Sequence, residues 1–204
     1  MNIAASSSGV PQREIEPTRQ RILESARTEF AAHGLAGARI DRIARNASAS
    51  KERLYAYYRK KEELFSAVLE LNLSEFAEAA AHGGADLAAF AGVMFDHTVE
   101  YPEHLRMIDW ARLERQDLID APTDLVDAFH EKQVRMIRSL QATGGIDDAW
   151  DPDHLGALIF GIVTCWLHEP AAALVAQPVT DPSVIAARRA SVVRAVRRLV
   201  EPVG

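Results

Sequence analysis

Cysteine occurs once in these 204 residues, at Cys165, which rules out an intrachain disulfide and points to a reducing compartment. Membrane-length hydrophobic runs are missing. The longest uncharged stretch, LGALIFGIVTCWL at 155–167, is shorter than the about 20 apolar residues that a bilayer span needs. The opening MNIAASSSGVPQ lacks the cationic start and continuous apolar run of a secretory leader, and its Ser, Gly and Pro content reads as a disordered tail over 1–14. Alternating segments of the strand kind do not occur, nor do a glycine-rich phosphate loop, a nucleophile elbow or paired zinc cysteines. His97, Glu100 and His104 have metal-ligand spacing on a continuous helix, but Pro102 interrupts it. These absences describe a soluble, cytoplasmic, non-enzymatic chain with no membrane segment, no catalytic residues, no metal and no cofactor.

A surplus of positive charge is also lacking overall, since the net charge is −6. Its distribution is uneven. Between Arg39 and Lys61 stand eight basic residues (Arg39, Arg42, Arg45, Lys51, Arg53, Arg59, Lys60, Lys61) against Asp41 and Glu52, a surplus of six. The remaining residues carry −12. A field that attracts phosphate is set by such a patch rather than by the sum.

Apolar residues recur at helical spacing almost throughout, so the fold class is all-α. Pro17 opens a first helix with Ile22, Leu23, Ala26 and Phe30 on one face, and His33-Gly34 ends it. A short helix over 40–46 turns Ile43 and Ala44 inward. NASAS then forms a turn, and Ser50 caps a third helix running to Tyr58. A fourth runs from RKKEEL to Ala81. Five more are expected over 85–100, 102–114, 123–142, 153–176 and 181–200, delimited by HGGAD, Pro102, QDLIDAP, TGGIDDAWDPD and QPVTDP.

Two short helices joined by a tight turn, the second basic and polar outside, make a helix-turn-helix, whose second helix fits the major groove. Leu54 and Tyr58, four apart, pack inward, while Lys51, Arg53 and Tyr57 project elsewhere. A charge run is commonly a solvated face; here spacing, sign and flanking helices agree on duplex DNA.

At these residues the chain resembles the TetR family of transcriptional regulators, whose signature reads approximately I-A-x-x-A-G-V-S-x-G-T-L-Y-x-Y-F-x-x-K-E-x-L. Ile43, Ala44, Ala47, Ser50, Leu54, Tyr55, Tyr57, Lys61, Glu62 and Leu64 stand in matching places, with Tyr58 for Phe, and RILESARTEFAAHG is similar to the family's first helix. Ser48 replaces the turn glycine, where φ > 0 is expected, and Ala49 replaces valine. Glu52 and Arg53 replace glycine and threonine, and Arg39 stands where a capping Ser or Thr is usual.

The resemblance implies a DNA-binding unit over 15–62 and a helical effector-binding and dimerisation unit over 63–204, acting as a ligand-responsive repressor. Its expected partners are a near-palindromic double-stranded DNA operator, an unknown small-molecule effector and a second copy of the chain. Arg39, Ser50, Lys51, Glu52, Arg53, Tyr55, Tyr57 and Lys61 are the expected DNA contacts. Phe65, Phe90, Met94, His97, Met107, Trp110, Phe129 and Met136 could line an apolar effector cavity. The 153–176 segment is apolar nearly all round, so Leu155, Ile159, Ile162, Val163 and Trp166, with Ile185, Val192, Val196 and Leu199 of the last helix, are expected to form a homodimer interface. Cys165 reads as a small buried hydrophobe. The competing reading is a helical interaction or small-molecule-binding protein without specific DNA affinity.

Overall fold

A computed structural model describes residues 16–84, 86–114, 123–168 and 180–202. The tail assigned to 1–14 and the segment 169–176 lie outside the described residues. Nine helices are described: α1 Pro17–Gly37, α2 Ile40–Asn46, α3 Lys51–Tyr57, α4 Lys61–Ala81, α5 Leu87–Glu100, α6 Pro102–Leu113, α7 Thr123–Ala142, α8 Pro152–Thr164 and α9 Pro182–Val200. Proline sits in the first turn of α1, α6, α8 and α9, where its missing amide hydrogen removes no helical bond. Asp86, Asp151 and Asp181 cap α5, α8 and α9 by accepting backbone amides of the first turn.

The helices enclose two apolar cores. The first gathers Ile22, Leu23 and Phe30 of α1, Ile43 of α2, Leu54 of α3 and Leu64, Phe65, Val68 and Leu69 of α4, with Met107 reaching in from α6. Phe30 and Phe65 meet edge to face at its centre, with ring centroids 5.0 Å apart. The second gathers apolar faces of α5, α7, α8 and α9. The 21-residue α4 crosses residue 62 without a break and serves both cores, contributing Phe76 and Ala80 to the second.

Three local features fix the DNA-facing half. Gly34 has φ 65°, which breaks α1 near its end, and a Cβ there would lie 2.7 Å from Trp110 Cε3. The Trp110 indole donates to the Ala31 carbonyl, so α6 is clamped onto that break. Ser48 carries the one positive φ among described non-glycine residues, 51°, at the position where the turn lost its glycine. Arg39 offers α2 no side-chain cap; instead the buried Glu29 carboxylate accepts the Arg39 amide at 2.8 Å and takes Arg42 in a two-bond pair at 2.6 Å.

Two expectations are corrected. The 153–176 helix ends at Thr164 and passes into a turn in which the Leu167 amide donates to the Thr164 carbonyl. The apolar run continues past Thr164 with no proline until Pro170, so periodicity alone carried the helix too far. Cys165 is exposed rather than buried.

Burial pushes the Glu29 carboxyl up, but Arg42 and the Arg39 amide outweigh it and hold it below the ordinary carboxylate range. A carboxyl lowered by folding stabilises above its unfolded pKa and loses that contribution as pH falls through its folded value. Glu29→Gln should therefore destabilise the protein by about 1–2 kcal/mol at neutral pH. The gap between variant and parent, followed by urea unfolding, should close as the pH drops below the carboxylate range.

Candidate nucleic-acid interface and small-molecule cavity

The Ser50 hydroxyl accepts the Arg53 amide at 3.1 Å and so starts α3. Leu54 is 1% exposed and Tyr58 3%, which anchors one flank of this two-turn helix in the first core. The opposite flank presents Lys51, Glu52, Arg53 and Tyr55 to solvent, with Tyr57 half-buried. Arg39 lies beside it at the start of α2, where Arg39, Asp41, Arg42 and Arg45 line an open polar cleft of about 340 Å³. Arg42 is engaged by Glu29; Arg39 and Arg45 have no acidic partner among the described residues.

The cations on α3 are not idle. Lys51 Nζ lies 2.6 Å from Asp41 Oδ1. Glu16, just before α1, takes the Arg53 guanidinium on one oxygen and the Tyr57 hydroxyl on the other, and the guanidinium lies over the Tyr57 ring at 5.2 Å. The Tyr57 hydrogen bond first, and then Arg53, hold the Glu16 carboxyl below its usual range; Asp41 pushes the Lys51 ammonium up. Lys61 is used differently from the expectation of a free phosphate contact. Its ammonium donates to the Ala36 and Ala38 carbonyls at 3.2 Å each, fastening the end of α1 to the start of α4. Glu16, Asp41 and Arg45 were not among the expected contacts: Glu16 and Asp41 precede the signature and Arg45 fills one of its unspecified positions, so Asp41 and Arg45 entered only the local charge count.

A cavity of about 280 Å³ opens between α4, α5, α7 and α8. Phe90, Met94 and Phe129 line it as expected from the sequence, together with Phe76, Ile159, Phe160 and Val163. The other expected residues lie elsewhere. Phe65 and Met107 are fully buried in the first core, Trp110 covers Gly34, Met136 packs against the second core, and His97 stands behind Phe76 on the far side from the cavity lining. Polar groups gather at one end, where His130 Nε2 is 2.7 Å from Asp153 Oδ1 and the Gln133 carboxamide lies on Gly156. A Cβ at Gly156 would stand 2.9 Å from Gln133 Oε1, so glycine is what lets that side chain lie flat. An α8 residue such as Phe160 was not separable in the sequence from a face buried elsewhere.

Between cavity and helix-turn-helix runs a partly buried polar chain. Arg27 of α1 donates to both oxygens of Glu75 on α4 at 2.9 Å. Glu75 Oε2 lies 3.0 Å from His104 Nε2, poorly aligned for a hydrogen bond. His104 Nδ1 and His97 Nε2 share a hydrogen at 3.1 Å, and His97 meets the Phe76 ring edge-on at 5.6 Å. Burial pushes the Glu75 carboxyl up, but His104 and Arg27 prevail and keep it low; burial, then His104, pushes His97 down.

Expected dimer residues fall into two groups. Leu155, Ile159, Val163, Val192 and Val196 are buried in the second core of the protomer itself, because α8 packs on α5, α7 and α9; a helix apolar on every side does not announce which face stays at home. Ile162, Trp166, Ile185 and Leu199 are only partly covered, and Leu158, Phe160 and Leu167 are each at least 40% exposed. Arg188 lies over the Trp166 ring at 4.7 Å.

Two family descriptions match the chain, "Bacterial regulatory proteins, tetR family" over residues 22–68 and "Tetracyclin repressor-like, C-terminal domain" over residues 86–198. The chain is 38% identical over 149 residues to the HTH-type transcriptional repressor SCO4008 of Streptomyces coelicolor, covering 72% of this chain and 77% of that one. It is 31% identical over 140 residues to the HTH-type transcriptional repressor NicS of Pseudomonas putida, covering 65% and 60%. Its fold matches the crystal structure of SCO4942 from Streptomyces coelicolor, described as a transcriptional regulator, with a TM-score of 0.77, 44% identity and coverage of 90% of this chain and 98% of that one. The family match spans α2 and α3, whose geometry is that of a helix-turn-helix, and the chain belongs to the TetR family of transcriptional regulators.

Proposed function

We propose that this regulator acts in the cytoplasm as a homodimeric repressor of a near-palindromic operator, released when a small molecule fills the cavity between α4, α5, α7 and α8. The observation that carries this is α3 itself: anchored by Leu54 and Tyr58, it leaves Lys51, Glu52, Arg53 and Tyr55 exposed on the side that would face a major groove. Arg39 and Arg45 beside it suit phosphates, which position the protein without reading sequence. Repression is supported by the naming of SCO4008 and NicS as repressors.

Dimerisation is assigned to the uncovered face of α8 and α9. Leu158 and Gly161 of α8 and Cys165 just past its end share one exposed side, and a Cβ at Gly161 would meet nothing within 4 Å, an open surface suited to close helix approach. Val184, Ala187, Ser191 and Ala195 form the matching small-residue stripe on α9. Two such faces related by a twofold axis would set the α3 helices about 34–36 Å apart, or a multiple of it. The route for release is the chain from Phe76 in the cavity wall through His97, His104 and Glu75 to Arg27 on α1. A ligand that moves Phe76 disturbs α4 where it is tied to α1, and a coupling of about 1–3 kcal/mol is enough to change occupancy.

Footprinting on the intergenic DNA beside the gene should reveal a protected near-palindrome. Arg53→Ala and Lys51→Ala should then change the ratio of affinities for operators differing in one base pair by about tenfold, and equal losses on every duplex would exclude base reading by these side chains. Glu16→Gln should tighten binding about two- to fivefold at low salt in fluorescence anisotropy, because Arg53 no longer has to leave a carboxylate; unchanged affinity would remove Glu16 from the mechanism. Leu158 is 44% exposed in the protomer, so Leu158→Arg should keep the helical circular dichroism while sedimentation shows a monomer. A dimer that survives this change would place the interface elsewhere.

A further inference from the structure

The cavity's chemistry also narrows what can enter it. Resting on the reading of that cavity as the effector site, we propose that its ligand is a compact organic amine, an apolar or aromatic body with one cationic nitrogen, rather than a carboxylate or a phosphate ester. The volume of about 280 Å³ lies at the lower edge of the range of about 300–1,000 Å³ usual for small-molecule pockets, which limits the ligand to one or two rings or a short chain. Phe76 meets Phe129 and Phe160 edge to face at 5.5 and 6.5 Å, and ring faces attract cations as well as apolar groups.

The polar end decides the sign of charge. Asp153 is the carboxylate of the lining, no lysine or arginine stands among the described lining residues, and Gln133 Oε1 adds an acceptor. An anionic head brought here would meet a carboxylate without a lysine or arginine to offset it. The start of α8, which could otherwise hold an anion, is already taken: Asp151 Oδ1 accepts the amides of Asp153 and His154 at 3.0 Å each. An ammonium, by contrast, finds Asp153 as counter-charge, in exchange for or beside His130 at 2.7 Å.

Two probes with one carbon skeleton test this, 4-phenylbutylamine and 4-phenylbutyrate, by thermal unfolding and calorimetric titration of the full chain at neutral pH. The amine should raise the unfolding midpoint at millimolar concentration and bind at least about fivefold more tightly than the acid. Asp153→Asn, a change at the exposed rim, should remove that preference, and Phe129→Ala should weaken the amine in either background. If the acid binds as well as the amine, or Asp153→Asn leaves the ratio unchanged, the ligand class is wrong while the cavity stands. If neither probe binds, or the amine's effect is indifferent to Phe129→Ala, the proposal and the reading of the cavity fall together.

Discussion

The helix α4 is a member of two cores at once, and a partly buried ion pair holds it in register with the helix-turn-helix half. Leu64, Phe65, Val68 and Leu69 commit its first half to the helix-turn-helix unit, while Phe76 and Ala80 commit its last turns to the effector side. Arg27 and Glu75 tie it to α1 between these commitments, and His104 brings α6 to the same carboxylate. Charged groups taken out of water gain little net stability from each other, yet one left without its partner is costly. Such a pair therefore specifies an arrangement more than it strengthens one. In the proposed mechanism α4, fastened to the α1 segment here and through Lys61, would carry a displacement at Phe76 toward the reading helix.

The DNA-facing surface shows how an acidic protein carries a cationic reader. Lys51 and Arg53 each rest on a carboxylate, Asp41 or Glu16, and Tyr57 shares the second of these. In the proposed complex operator phosphates and base edges would have to replace those partners, so part of the attraction of the basic patch is already satisfied within the free protomer. Exposed pairs of this kind contribute little to stability, which makes the exchange inexpensive. In the proposed complex Arg39 and Arg45, without an acidic partner among the described residues, would supply the long-range pull and the paired residues on α3 the discrimination.

In the effector half, α8 has three different duties on its circumference. Leu155, Ile159 and Val163 close the protomer core; Gly156, Ala157 and Phe160 border the cavity; Leu158 and Gly161 face outward. This division explains why a helix of only 13 residues is apolar almost all round without being a membrane segment. No helix among the described residues is long and apolar enough to cross a membrane.

Local chemistry was legible in the residues themselves. Pro17, Pro102, Pro152 and Pro182 marked helix starts, Ser50 marked its cap, and the Ile43-to-Leu64 spacing gave the helix-turn-helix and its family, because each depends on neighbours a few positions apart. The cost of losing the turn glycine was also readable, and Ser48 does adopt φ 51°. Contacts between distant segments were not. That Glu29 caps α2 in place of Arg39, that Glu16 holds Arg53, and that Phe65 and Met107 belong to the first core rather than to the cavity all follow from how helices pack across tens of residues. Periodicity says that a face is apolar and must be covered; only the tertiary arrangement decides whether its own core, a ligand or another chain does the covering, since burial rewards all three alike.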